Sequence, residues 1–414
     1  MTTRHLRPGD LPGVLPPGGL TLVSSSPAES DLLVSEVAAA GSALGAMTFS
    51  GVFVPGLNKA VWSAGPEARV LTFFQTPELR REGARSDFRP LCYQDILRLY
   101  RRERPAAALF MCSPPDDEGH CSFGAETGFI AALWREIPVR IAHINPSMPR
   151  TPGDPGVPLS AITACYEQDQ PLRTMAGGSD AVSEAIAAAI APLIPDGATL
   201  QTGLGKIPDA VLRALSGHRN LRLHSGLIGD GALALVRSGA MAPGRSALAG
   251  VAIGSAELYA GLDHEHFQFQ PVSVTHDPAT LAGIERLVTI NSAMEVDLYG
   301  QVHAEASSRG FLSGPGGAGD YARGARASRG GLRVIALPSA AGGASRIVPA
   351  GHGHGPVSLS RFDVDLVVTE HGVADLRELG HEARAQALIA IAAPDQREAL
   401  ARSWRDSMNA LQEN

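Results

Sequence analysis

Lysine is almost missing from this chain of 414 residues: Lys59 and Lys206 are the only two among its 35 lysines and arginines. An anionic ligand must therefore be held by arginine, by backbone N–H groups or by helix N-termini. No basic run or basic-aromatic face occurs and the net charge is −7, which argues against nucleic acid as a partner. Cysteine is scarce too. Cys92, Cys112, Cys121 and Cys165 form no C-x-x-C pair and are too few for a disulfide framework. Reduced, buried thiols in a cytoplasmic protein are expected. Long apolar runs are lacking. The stretch around Ala185–Ile194 is too short to span a bilayer, and Met1–Gly19 has no apolar segment of the signal-peptide kind, so no membrane partner is expected. Clustered Cys/His ligands are absent and the His352-Gly-His354 pair stands alone, so no metal is expected.

What the chain does contain is 44% hydrophobic residues, enough for two cores. Short apolar runs recur, each followed by a Gly/Ser/Pro turn and a helical pattern. They include Leu20–Ser24, Arg69–Phe74, Ala107–Cys112, Arg140–Ile144, Thr199–Thr202, Leu221–His224, Leu287–Asn291, Arg333–Leu337 and Leu366–Thr369. Strands alternating with helices predict an α/β fold, and the count fits two open, mainly parallel sheets. The boundary is expected at Met175-Ala176-Gly177-Gly178, giving domains 1–176 and 177–414. After it, Ser179 and Asp180 can cap a helix with Val182, Ile186, Ile190 and Leu193 on one face. His381–Ala392 reads as an amphipathic helix.

Four segments could carry chemistry. In Gly203-Leu204-Gly205-Lys206-Ile207-Pro208 a strand enters a Gly-x-Gly turn with proline in the first helical turn. This suits an anion, or is simply a tight strand-to-helix turn. His224-Ser-Gly226, followed by Asp230, ends another strand, where α/β folds place ligands. A lone histidine such as His224 is more often packed or hydrogen-bonded than catalytic. Glu295-Val-Asp297 opens a hairpin that turns at Tyr299-Gly300. Its two carboxylates share a face, either to perturb one another or to be held by arginines or backbone N–H groups. Finally, Gly314-Pro-Gly316-Gly317-Ala-Gly319-Asp320 forms an anion nest or a mobile loop, and a further glycine loop follows at Gly342-Gly343, with Arg346 nearby.

Together these segments resemble the acetyl-CoA hydrolase/transferase family, which includes acetate and 4-hydroxybutyrate CoA-transferases. Ser113-Pro-Pro-Asp116 with Gly119-His-Cys-Ser-Phe-Gly124 is similar to its SPPD-x-x-G-x-x-S-x-G signature. Asn145-Pro-Ser-Met-Pro-Arg150-Thr151 is similar to its NP-x-MPRT segment. Gly203–Pro208, Asn291–Gln301, Gly314–Gly324 and Thr369–Arg377 match in order, so the resemblance covers about residues 45 to 400. It implies two open α/β domains of the CoA-transferase type with the acyl-CoA site between them. It also implies no permanently bound cofactor, coenzyme A as co-substrate, a small carboxylic acid as second substrate, and a homo-oligomer.

In the family a glutamate attacks the thioester, giving an acyl-glutamyl anhydride and then a glutamyl-CoA thioester, which an acceptor acid or water resolves. Backbone N–H groups near the Gly-x-Gly turn would stabilise the oxyanion. That glutamate follows a His-Thr pair; here the text is His224-Ser225-Gly226. Ala341 likewise stands where the family has a lysine suited to the CoA phosphates. The resemblance thus assigns catalytic positions to His224, Gly226, Asp230 and Glu295. It assigns CoA-binding positions to Gly203, Leu204, Gly205, Lys206, Ile207, Gly316, Gly317, Asp320 and Gly342. Two readings follow. The chain is a CoA-transferase or acyl-CoA hydrolase using another group, with Glu295, Glu305 or Asp230 as candidates, or a non-catalytic CoA binder or inactive partner subunit.

Overall fold

Runs that are apolar at every residue become interior strands. Ala107–Cys112 is buried throughout, as a parallel strand covered on both faces must be. The computed structural model describes residues 3–175, 177–308 and 310–412; Ala176, in the expected boundary, lies outside them. By density of contacts the chain forms two units. The first is Met1–Ala176 with Gly226–Ile228 and Gly244–Asp277; the second is Gly177–Ser225 with Gly229–Pro243 and Pro278–Asn414.

The sheet of the first unit has the strand order Arg4–His5, Ala164–Glu167, Val139–Ile144, Ala107–Cys112, Gly19–Val23, Met47–Gly51, Arg69–Thr72, Ser86–Phe88. Every pairing in it is parallel. Successive residues feed opposite faces. Leu109 and Ile141 pack with Phe49 and Trp62 on one side, and Phe110 and Ala142 with Phe73 and Tyr100 on the other. Each such fully buried large side chain contributes roughly 2–3 kcal/mol relative to exposure. Also in this unit, Ala247–Ala252 pairs in parallel with Phe267–Phe269.

The strands of the second unit run in the order Arg222–Ile228, Thr199–Thr202, Leu287–Ser292, Leu332–Ala336, Leu366–Thr369, Gly372–Asp375. The resolved pairings are parallel until the last, an antiparallel hairpin. The α/β class with large, mainly parallel sheets is therefore as the apolar runs predict. Asp180 caps the helix Ala181–Ile190 by accepting the N–H of Ser183. One detail differs: Val182 is exposed, because the buried stripe is Ser183, Ile186, Ala187 and Ile190. The last predicted helix forms as His381–Ala390, burying Ala385, Leu388 and Ile389.

Both sheets reverse their strand order. In the first, the chain builds outward from Gly19–Val23 to Ser86–Phe88, then returns to lay Ala107–Cys112 on the opposite side of Gly19–Val23. In the second it passes from Thr199–Thr202 to Arg222–Ile228, then returns to place Leu287–Ser292 beside Thr199–Thr202. Such reversals open a crevice outside the carboxyl ends of the strands, where open α/β sheets bind ligands.

Candidate active site

At the reversal in the second unit, the strand Thr199–Thr202 runs into the helix Lys206–Ala214 through Gly203, Leu204 and Gly205. Gly205 has φ +127°, a conformation that only glycine adopts readily. Gly203 and Leu204 are half-buried, Gly205 and Lys206 exposed, and Ile207 buried. Across the crevice Gln201 and Asn291 exchange amide hydrogen bonds of 3.1 and 3.0 Å. The Ser225 hydroxyl donates to the carbonyl of Thr202 at 3.0 Å. His224 is buried, with its ring centroid 6.4 Å from that of Tyr321. This brings His224 beside the helix Ala318–Ala327, whose first turn carries Asp320 and whose preceding residues are Gly316 and Gly317. Lys206 lies 3.1 Å from Asp180. The N–H and hydroxyl of Ser183, joined by Lys206, hold the Asp180 carboxyl down to about 2.

The other expected positions in this unit have structural partners. Asp230 opens the helix Asp230–Arg237 and accepts the Gly177 N–H at 3.2 Å. Beside it, burial raises the pKa of Asp209, which accepts the Gly231 N–H at 3.1 Å. Glu295 accepts both the N–H and the Nδ1 of His354 at 2.8 Å. Asp297 is fully buried and accepts N–H groups from Tyr299, Gln301 and Gly351 at 2.9–3.0 Å. Glu305 is buried, which raises its pKa, and accepts the Ser358 hydroxyl at 2.9 Å. Gly342 and Gly343, both with positive φ, form the exposed tip of a hairpin between Ala340–Ala341 and Ala344–Ser345. Arg346 donates to the carbonyl of Met294 at 3.0 Å.

At the reversal in the first unit stands a carboxylate that the sequence reading overlooks. Glu126 is half-buried and accepts the N–H of Ser25 at 3.2 Å and its hydroxyl at 3.1 Å. Ser25 follows the carboxyl end of Gly19–Val23, and its Oγ also accepts the N–H of Val52, just past Met47–Gly51. Next to it, Ser26 is buried with φ +49°, a left-handed backbone of the kind that clusters at functional sites. Burial pushes the Glu126 carboxyl up to about 8; the two Ser25 donors oppose this and the nearby Glu29 adds to it. Glu29 is buried, which raises its own pKa against the Ala60 and Lys59 N–H groups and Arg173. The available signal was an acid just after the glycine-rich motif, two residues beyond Gly124.

The model of the acetyl-CoA hydrolase/transferase C-terminal domain matches residues 254–404. A 4-hydroxybutyrate coenzyme A transferase of Clostridium kluyveri is 37% identical over 334 residues, 78% of each chain. The chain belongs to the acetyl-CoA hydrolase/transferase family. Among solved structures, RipA from Yersinia pestis superposes with TM-score 0.90 at 27% identity, and a 4-hydroxybutyrate CoA-transferase from Porphyromonas gingivalis with 0.81 at 30%; each covers 98% of both chains.

In this acetyl-CoA hydrolase/transferase family member the two N-terminal motifs lock to one another. Ser113 and Ser122 bond reciprocally, the N–H of each to the other's carbonyl or hydroxyl oxygen at 2.9 Å. Asp116 accepts the His120 N–H at 2.7 Å and pairs with Arg150 at 3.0 Å. Thr151 donates to the carbonyl of Gly124 at 3.0 Å. Gly124 has φ +58°, and a side chain there would collide with Met148 and the Pro149 carbonyl. The motifs thus fix the backbone that presents Glu126. A cavity of about 670 Å³ beside them is lined by Asp116, Arg150, Tyr259 and Asp263, but its guanidinium is already paired. Among the described residues, no helix is long and apolar enough to cross a membrane.

Proposed function

We propose that this chain acts on acyl-CoA thioesters, by CoA transfer to a small carboxylate or by hydrolysis, through a site that works without a side chain at residue 226. The observation that carries the reading is family membership combined with a glycine, Gly226, on the strand Arg222–Ile228. In a transferase of the usual kind a glutamate there would carry the covalent intermediate; glycine offers no nucleophile. The backbone turn Gly203-Leu-Gly205 and the loop ending in Gly316 and Gly317 supply N–H groups for the CoA moiety. The 4-hydroxybutyrate and butyryl-CoA:acetate transferases among the relatives make 4-hydroxybutyrate and acetate natural first acceptors. A cytoplasmic homo-oligomer is part of the same proposal.

A second reading has its own support. Gly226 lacks the nucleophile, and Ala341 stands on an exposed hairpin where the resemblance puts a lysine for phosphate. Both losses fit a CoA-binding homologue or partner subunit without turnover. The two readings separate in one assay. The protein is incubated with acetyl-CoA, with and without a panel of carboxylates, while free thiol and acyl exchange are followed. Turnover supports the first reading; CoA binding by calorimetry with no turnover supports the second; failure to bind CoA rejects both.

A further inference from the structure

The segment around Glu126 lies against Gly250–Ala252: Thr127 N–H donates to Gly250 O at 3.0 Å, and Ala252 N–H to Ala125 O at 2.9 Å. Gly250 in turn adjoins Gly226, whose carbonyl oxygen would lie 2.9 Å from a Cβ at position 250. The two backbones therefore pack too closely for a side chain at position 250. Glu126 stands opposite Val251, so its backbone is two strand spacings from that of residue 226, about 10 Å.

Glu126 also sits at the reversal of strand order, where the first sheet opens its ligand crevice. Ser25 fixes one edge of the carboxylate, leaving lone pairs on a group that remains partly open to solvent.

We propose that Glu126 is the general base of a direct thioester hydrolysis, taking a proton from a water that attacks the acyl-CoA carbonyl. This rests on the reading that the chain turns over acyl-CoA. The water oxygen bonds to the carbonyl carbon as its proton passes to Glu126. The tetrahedral adduct then breaks its C–S bond, and the departing thiolate takes the proton back from Glu126. Carboxylic acid and CoA thiol leave, and the Glu126 carboxylate is restored with no glutamyl intermediate.

The test is acetyl-CoA turnover by the wild type, Glu126→Gln and Glu126→Asp, with CoA affinity measured by calorimetry. Glu126→Gln should lose on the order of 100-fold or more in kcat at unchanged CoA Kd. Glu126→Asp should restore part of the rate. The wild-type rate should rise with pH along a limb near the Glu126 value of about 8, and Glu126→Gln should lose that limb. A single turnover in ¹⁸O-water should label acetate and leave the Glu126 peptide unlabelled. Label in Glu126 would mean covalent catalysis and overturns the base role, as does a Glu126→Gln enzyme at wild-type rate. A wild type that releases no thiol overturns the parent reading and this one together, so the failing arm identifies which idea is at fault.

Discussion

At the reversal of strand order in the first sheet, the loop ends present an acid, Glu126, held by Ser25. At the reversal in the second they present a backbone turn at Gly205 and a neutral amide pair, Gln201 with Asn291. In the proposed reading one topological device supplies proton chemistry in one place and N–H groups for an anion in the other. The carboxylates of the second unit sharpen the contrast. Asp297 is saturated by three backbone N–H groups, which makes it a tie between loops. Glu126, among the described residues, accepts hydrogen bonds from Ser25, and burial pushes it up to about 8, which makes it available for proton transfer.

If that contrast holds, Asp297→Ala should unfold rather than disarm. It removes the buried acceptor of three part-buried donors, and a loss of about 3 kcal/mol in denaturant titration is expected, with no movement of any pH limb in the activity. Gly205→Ala should come next, at about 2 kcal/mol, because φ +127° is costly for any Cβ. It should also weaken CoA binding in calorimetry, whereas Glu126→Gln should not. Ser25→Ala should cost about 1 kcal/mol. Since Ser25 donates to the carboxylate, its loss should move the activity limb to higher pH.

A separate effect is expected on the pH dependence of melting. The folded Glu126 pKa lies above its unfolded value. The folded state therefore keeps a proton that the unfolded state has lost, and this contribution, complete below the unfolded value, fades as pH rises through about 8. Glu126→Gln cannot lose it. Between pH 5 and pH 9 the variant's Tm should gain on the wild type by about a few degrees at most. Parallel melting curves across that range would show that Glu126 titrates normally.

Much of the fold was legible because its signal is local. An unbroken run such as Ala107–Cys112 needs no partner to be read as an interior strand, and Asp180 announces its helix from one position away. Val182 misled because several apolar spacings fit one short helix, and only packing chose the stripe through Ser183 and Ala187. The role of Glu126 is not local at all. Its partner Ser25 lies 101 positions earlier, and its place at the crevice comes from strand order. Glu295 was conspicuous for its alternating hairpin, but the His354 that occupies it comes 59 positions later.

The first unit draws on Gly226–Ile228 and Gly244–Asp277 as well as the N-terminal segment. Its apolar cluster includes Val272. When Ala176 has been made, about a hundred residues are still to come before that unit is complete. At about 5–20 residues per second on a ribosome this is a wait of roughly 5–20 s. Domains usually finish in the order they are made; this one stays incomplete while about a third of the second is being synthesised. A truncation at the residue 176 boundary would leave it permanently in that state.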